Sequence, residues 1–352
     1  MNSRYLNEID EQPEALRRAI DNYAAAQPDL AHLAGAITSN QYSNIILTGM
    51  GISYHSCYPL WLTLSQHANA AAWWDASELV HYASHALTAD TLLIVVSQSG
   101  ESAELKRIIA LENRPGMVVS ITNGLENSVA RWSDLLLSTN AGPETAVSTK
   151  TYVTGMAVLY LLGLQLLGGD LEAGKAKLHA VADYVGSFLD DWESRVQAAT
   201  DFLGPCDALA FLARGPSMAS AMAGALMSAE ASRIFAAVFS SAQFRHGPVE
   251  AVRQDFRAIM FAGNDANRDL NYQMANYIAA CGGKTLVITP TPTPRQEHVS
   301  SSVLELPIAL ADPEVLPILE IIPVQLLTIT LAHAKGYEPA TFVNCNKVTL
   351  EE

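Results

Sequence analysis

The stretch TLLIVVSQSGES, residues 91–102, decides the fold of this chain. Its first six residues are apolar or β-branched without interruption, as in a strand that is buried on both faces of a parallel sheet. Three hydroxyls, a glycine and a carboxylate follow directly. Gly100 lets the backbone approach a ligand closely, and Glu101 and Ser102 open a helix whose free N–H groups attract an anion. The stretch therefore predicts a buried strand that ends in an anion-binding loop; an ordinary serine-capped helix start is the alternative.

Strand-like runs alternate with helical stretches along the rest of the chain, which is typical of parallel α/β folds. Each half contains four such runs. They are NIILTGMGIS, TLLIVVSQSG, MVVSITN and DLLLSTN in the first half, and DALAFLARGPS, FRAIMFAGND, KTLVITP and VLELPIA in the second. In both halves the last run is followed by an apolar helix, near 152–168 and near 315–335.

The two halves also share turns at matched positions. A glycine-serine turn recurs 164 residues later, and a Pro-Glu pair that we interpret as the start of the last helix recurs 170 residues later. The matched residues are Gly51 and Ser53 with Gly215 and Ser217, and Pro143-Glu144 with Pro313-Glu314. The sequence thus predicts an α/β protein of two tandem doubly wound parallel-sheet domains. We expect them at 31–170 and 200–338, with a helical segment at 1–30, a helical connector at 171–199 and a tail at 339–352.

Composition narrows the class of protein. The 352 residues are 49% hydrophobic and 16% charged, which suffices for a large core, and the net charge of −15 disfavours binding to nucleic acid. The four cysteines are scattered without a C-x-x-C pair, which disfavours disulfides and zinc sites and favours a reducing cytoplasm. The N-terminus lacks a signal-peptide core, and apolar stretches such as 316–332 are interrupted by Pro and Glu. We expect a cytoplasmic protein without a membrane segment.

Three hydroxyl-rich turns should meet at one edge of the first sheet. They are TGMGIS with Ser53, the SQSGES loop with Ser97, Ser99 and Ser102, and AVSTK with Val147 and Ser148. Ligands bind at the carboxyl ends of strands in open parallel sheets. In the SQSGES loop, hydroxyls and helix N–H donors without a lysine suit a phosphate monoester that is held by neutral hydrogen bonds.

Four motifs together resemble the double-domain proteins of the sugar isomerase (SIS) family, and are most similar to the isomerase half of glucosamine-6-phosphate synthase. They are SQSGES, AVSTK, FRHGP at 244–248 and the tail NCNKVTLEE at 344–352. The resemblance implies two flavodoxin-like or Rossmann-like SIS domains and a homodimer in which each chain completes the other's site. It also implies a small-molecule sugar phosphate as the ligand. The phosphate would be cradled by Ser53, Ser97, Gln98, Ser99 and Ser102, and the sugar would be contacted by Val147 and Ser148.

The same resemblance implies three catalytic residues: Glu230, His246 and Lys347. Glu230 is the only acid on the stretch MASAMAGALMSAEASRI, where desolvation should raise its pKa and suit it to proton transfer between C1 and C2 of a sugar. An ion pair with Arg233 is the alternative. In the family, the histidine at the position of His246 comes from the neighbouring subunit and assists ring opening, and the tail lysine at Lys347 closes over the open-chain sugar.

Two departures from the synthase pattern shape the expected function. Met227 stands where the synthase carries a lysine, and we expect no glutaminase domain ahead of residue 1. We therefore expect the ammonia-releasing reaction, glucosamine 6-phosphate to fructose 6-phosphate, with no metal or redox cofactor. The alternatives are a deglycase of fructose-amino-acid 6-phosphates, a simple phosphosugar isomerase and a non-catalytic sugar-phosphate sensor. A sensor is disfavoured because only about thirty residues precede the first domain, too few for a DNA-binding domain.

Overall fold

The computed structural model describes residues 3–23, 28–39, 41–67, 70–291, 300–349 and 351. Leu350 and Glu352 of the tail motif lie outside these residues. The chain divides into two compact units, each built from two segments. The N-terminal unit contains Glu11–Ala182 and Val343–Glu352, and the C-terminal unit contains Met1–Asp10 and Asp183–Phe342.

Strands and helices alternate throughout the described residues. The strands are β1 (Asn44–Gly49), β2 (Ala71–Asp75), β3 (Thr91–Ser97), β4 (Met117–Thr122), β5 (Leu135–Ser138), β6 (Ala208–Ala213), β7 (Phe235–Ser240), β8 (Arg257–Phe261), β9 (Lys284–Thr291) and β10 (Val303–Ala309). The helices are α1 (Arg4–Asp10), α2 (Gln12–Asp21), α3 (Pro28–Thr38), α4 (Gly51–Ser56), α5 (Tyr58–Gln66), α6 (Ala76–Tyr82), α7 (Ala103–Ile109), α8 (Ser128–Trp132), α9 (Lys150–Leu166), α10 (Leu171–Leu189), α11 (Trp192–Leu203), α12 (Met218–Ser232), α13 (Ser241–Phe244), α14 (Arg268–Ala280) and α15 (Leu316–Ala334).

Each unit contains one five-stranded sheet whose observed pairings are all parallel. The strand orders are β2-β1-β3-β4-β5 and β10-β9-β8-β6-β7. Numbered within its own unit, each sheet has the order 2-1-3-4-5, which is the flavodoxin-like doubly wound order. The predicted fold class is therefore confirmed. The order reverses beside β1 and β3 in one sheet and beside β6 and β8 in the other, and ligands bind at such reversals.

The central strands form because their residues are apolar on both faces. All seven residues of β3 are buried, and so are five of the six residues of β1, β4 and β6. The sequence did not indicate β2 and β7, the edge strands beside β1 and β6. These strands are half-buried, so they lack the uninterrupted buried run by which the central strands were recognised.

The matched turns of the two halves agree only in part. Gly51 and Gly215 both have positive φ, at 52° and 57°, so the same left-handed turn follows the first strand of each sheet. The Pro-Glu pairs differ, and the prediction that both start a helix is wrong. Only Val315 separates Pro313-Glu314 from α15, whereas residues 145–149 form an additional loop between Glu144 and α9.

Helix α15 is long and apolar enough to cross a bilayer by length and hydropathy alone. However, 89% of its most apolar window is buried within the protein. This degree of burial is typical of a core helix, and α15 packs on α11 and α12 in the C-terminal unit.

Candidate functional site

Two serine hydroxyls shape the loop that follows β3. The Ser97 oxygen accepts a hydrogen bond from the backbone N–H of Gly100 at 3.0 Å, and the Ser99 oxygen accepts one from the N–H of Glu101 at 3.2 Å. A hydroxyl carries one donor hydrogen besides its acceptor lone pairs. Both serines therefore keep an O–H that can be donated to a ligand.

Gly100 and Glu101 fix this loop against the start of α8. Gly100 has φ +65°, and a Cβ at this position would lie 1.9 Å from the side-chain oxygen of Asn127, which caps α8. The Glu101 carboxylate accepts hydrogen bonds from the N–H of Ser128 at 2.7 Å and from its hydroxyl at 3.1 Å, and pairs with Lys106 at 2.8 Å. Bonding to Lys106 and Ser128 lowers the pKa of Glu101 to about 2. Glu101 is thus an ionised anchor of the loop.

Further donors lie beside this loop. Ser53 is in α4, directly after the turn that ends β1, and β1 pairs with β3. The side chains of Ser53, Gln98 and Ser102 are half-buried, and none of them hydrogen-bonds another of the residues that the structure describes. The predicted phosphate residues are therefore adjacent along one sheet edge, and their polar groups are available to a ligand.

The second predicted loop, AVSTK, is held by an acid that sequence analysis did not assign to the site. The Glu144 carboxylate accepts hydrogen bonds from the N–H groups of Thr149 (2.9 Å) and Thr151 (3.1 Å) and from the Thr151 hydroxyl (2.6 Å). Burial favours its neutral form, but the Lys347 charge and these hydrogen bonds together lower the pKa of Glu144. Val147 is buried, and Ser148 is half-buried in the loop that Glu144 secures.

The tail binds both loops of the N-terminal unit. The ammonium group of Lys347 lies 3.0 Å from Glu144 Oε2, 2.7 Å from the Ala146 carbonyl oxygen and 2.9 Å from Ser148 Oγ. The Thr349 carbonyl accepts a hydrogen bond from the N–H of Ala103, at the start of α7, at 3.2 Å. The structure thus brings predicted residues Lys347 and Ser148 together and places the tail beside the SQSGES loop.

The other two predicted catalytic residues belong to the C-terminal unit. Glu230 is half-buried near the end of α12, and His246 is exposed in the turn after α13, where Gly247 has φ +128°. Arg233, the alternative partner of Glu230, lies over the Tyr337 ring at 4.7 Å and donates to the Thr341 carbonyl. Met227 is completely buried on α12.

The turn after β6 is occupied by an acid of the protein itself. The Ser217 and Ser220 hydroxyls donate to the two carboxyl oxygens of Glu320 at 2.8 and 2.7 Å. Glu320 is fully buried on α15, and this burial raises its pKa to about 7. Ser217 follows Gly215 as Ser53 follows Gly51, so the turn that is open to a ligand in the first sheet is filled in the second.

No group of three or more His, Cys, Asp or Glu residues that could hold a metal ion occurs among the residues the structure describes. Among the described residues at the first sheet's edge, the side chains that keep polar groups available include hydroxyls and an amide, which suit an anionic organic ligand.

Comparison with known sequences identifies the type of domain. The SIS domain family matches residues 39–165 and 203–334. The isomerizing glutamine–fructose-6-phosphate aminotransferase of Pyrobaculum aerophilum is 29% identical over 352 residues, which cover 98% of this chain and 57% of that protein. The chain therefore spans little more than half the length of this relative.

Solved structures share the fold. The C-terminal domain of glucosamine-fructose-6-phosphate aminotransferase from Francisella tularensis has a TM-score of 0.82 at 22% identity, covering 95% of this chain and 97% of that one. Glucosamine-6-phosphate deaminase from Thermotoga maritima has a TM-score of 0.78 at 18% identity, covering 98% and 99%. At these identities the likeness shows the fold alone.

Replacing Gly100 by Ala should destabilise the protein. The left-handed conformation costs a residue with a Cβ about 1–2 kcal/mol, and displacing Asn127 from its capping position costs about 1 kcal/mol more. We expect a loss of about 2–3 kcal/mol in the free energy of unfolding, measured in urea. Gly35→Ala is the control, because nothing lies within 4 Å of a Cβ there on helix α3. It should change stability by less than about 1 kcal/mol, in the favourable direction. Equal free energies of unfolding for G100A and G35A would contradict the described geometry of the loop at Gly100.

Replacing Glu320 by Gln should remove a pH dependence of stability. Because the folded protein raises this pKa from 4.5 to about 7, it holds the proton more tightly than the unfolded chain. The resulting stabilisation is fully present below about pH 4.5 and is lost as the pH rises through about 7, by about 3 kcal/mol. Urea unfolding of parent and E320Q between about pH 5 and 8 measures this slope.

The control is Glu314→Gln, which removes one exposed negative charge just before α15. The parent's decline in stability should persist in E314Q and be absent or reduced in E320Q. The same decline in E320Q would show that Glu320 is not the group that titrates.

Proposed function

The chain belongs to the SIS domain family, and from that premise we propose that it is a phosphosugar enzyme that deaminates glucosamine 6-phosphate to fructose 6-phosphate and ammonia. The observation that carries this proposal is the organised hydroxyl loop at 97–102, with a tail lysine held beside the neighbouring loop. The relation to isomerizing aminotransferases supports the sugar class. The fold shared with a Thermotoga maritima deaminase is consistent with this direction.

The phosphate would be bound by neutral donors. Ser97 and Ser99 each keep an O–H, and Ser53, Gln98 and Ser102 add polar groups that no described residue occupies. The nearest cation of the loop, Lys106, is already paired with Glu101. Hydrogen bonds to a charged phosphate are stronger than those between neutral groups, so such a cradle can supply much of the binding.

The proton transfer would be carried out by Glu230. In the open-chain aldose, the carboxylate removes the proton at C2 and gives an enolamine, and protonation at C1 then shifts the double bond to the C2 imine. Water hydrolyses this imine to the ketose phosphate and ammonia. A half-buried carboxylate on a helix of small residues suits this role, because a positioned carboxylate can act as a general base.

Assembly into a dimer would complete the site. We propose that His246 serves the site of a second copy, where it assists ring opening; its exposure after α13 supports contact with another chain. We also propose a cytoplasmic location, which is consistent with four free cysteines.

A panel of substrates tests the reaction. We expect ammonia from glucosamine 6-phosphate and very little from glucosamine, since each lost charge-assisted hydrogen bond costs about 1.5–3 kcal/mol.

Faster release of amino acid from fructose-amino-acid 6-phosphates would assign the deglycase reaction instead. Exchange between aldose and ketose phosphates without ammonia would assign a simple isomerase, and tight binding without turnover would assign a sensor. If glucosamine and its 6-phosphate are turned over with equal catalytic efficiency, residues 97–102 do not bind the phosphate.

Glu230→Gln should lower kcat about 10²–10⁴-fold while substrate binding persists, because the amide cannot accept the C2 proton. Glu250→Gln, an exposed acid beyond the His246 turn, is the matched control and should leave kcat unchanged. Ammonia release and calorimetric binding of the sugar phosphate measure both quantities. Parental kcat in E230Q would show that the carboxylate is not the base.

Mixing E230Q with His246→Ala, with subunit exchange verified, tests the shared site. At equal amounts, half of the dimers are hybrids with one intact site, so about a quarter of parental activity should return. Absence of recovery would place His246 and Glu230 in the same chain's site.

A further inference from the structure

Lys347 makes three polar contacts within the N-terminal unit. They are to Glu144 Oε2, the Ala146 carbonyl oxygen and Ser148 Oγ, at 3.0, 2.7 and 2.9 Å. An ammonium group has three donor hydrogens, whereas a neutral amine has two and a lone pair. A carbonyl and an ionised carboxylate can only accept, and the hydroxyl can accept as well. All three contacts are satisfied when the lysine is an ammonium ion that donates each bond, and the ion pair with the Glu144 carboxylate favours that charged form.

Glu144 is fixed independently of the tail. Its side chain is completely buried, and it accepts hydrogen bonds from the N–H groups of Thr149 and Thr151 and from the Thr151 hydroxyl. These groups belong to the start of helix α9, whose positive end favours a carboxylate. The carboxylate cannot follow Lys347 if the tail moves away, and a buried charge that loses its counter-ion is strongly destabilised. Glu144 thus favours the docked position of the tail.

We propose that Glu144 is a positioning residue that holds Lys347 as an ammonium ion and docks the tail on the sugar-binding loop. The identity of the sugar rests on the proposed function, but the docking does not.

Docking is linked to the phosphate loop through the backbone. The Thr349 carbonyl, two residues after Lys347, accepts the hydrogen bond of the Ala103 N–H at the start of α7. Release of Lys347 should therefore also expose this N–H to solvent. The Ala103 amide is a reporter of tail position that requires neither substrate nor turnover.

The test compares the parent, Glu144→Gln, Lys347→Met and the double variant as full chains. Hydrogen–deuterium exchange of the peptide covering residues 343–349 and of the Ala103 amide is measured without ligand. Each single variant should exchange about ten- to a hundred-fold faster than the parent, since each removes a charge-assisted hydrogen bond. The double variant should match K347M, because Glu144 acts on the tail through Lys347.

Additive effects in the double variant would overturn the proposal, because they would show that Glu144 only supports α9. Unchanged tail exchange in K347M would overturn it as well, and this result does not depend on whether E144Q folds. Thr151→Val, which removes one Glu144 hydrogen bond but none of Lys347, should leave the exchange of the tail close to that of the parent.

Turnover gives a separate measure. If the deaminase reaction holds, kcat should show the same non-additivity as exchange. If no candidate sugar turns over, the proposed function fails while the exchange experiment still decides the role of Glu144.

Discussion

The parallel pairing of β1 with β3 is the constraint on which the candidate site depends. Because the strands run in the same direction, both deliver their following turns to one edge of the sheet, and the reversal of strand order there leaves room for a ligand. Gly49 permits this approach: a Cβ at that position would lie 2.7 Å from the Val96 carbonyl oxygen. Any larger residue would push the turn that carries Ser53 away from the loop that begins at Ser97. The hydroxyl donors of the two turns lie at the same sheet edge because the backbones of β1 and β3 pack closely.

The two units show how a repeated fold acquires one binding edge. Both sheets have the same strand order, and both first turns use a glycine with positive φ, Gly51 and Gly215. The difference is chemical. In the C-terminal unit the serine of the turn, Ser217, is bonded to Glu320, so an internal acid satisfies the hydroxyl and supports the core. In the N-terminal unit Ser53 has no bond from its hydroxyl to any described residue, and the extra loop after Glu144 supplies further polar groups.

The sequence predicted what depends on local pattern. The central strands were predicted because their residues are apolar on both faces, and SQSGES was recognised because its hydroxyls follow such a strand. The edge strands β2 and β7 were missed because their half-exposed residues have no such pattern. Glu144 and Glu320 were missed for another reason. Their partners lie up to 203 and 103 residues away, and no spacing rule connects an isolated acid with a distant lysine or serine.

The position of Glu230 depends on packing contacts that α12 makes away from Glu230 itself. Helix α12 is tied at its first turn by the hydrogen bond from Ser220 to the buried Glu320. In its middle, Gly224 lets the helix pack against the Phe211 ring, since a Cβ there would lie 2.6 Å from that ring. These contacts fix the axis of a helix whose far end carries Glu230. A side chain on a rigid element is placed more precisely than one on a loop. Gly224 is therefore required by this packing, and the same packing fixes where on the C-terminal unit the Glu230 carboxylate lies.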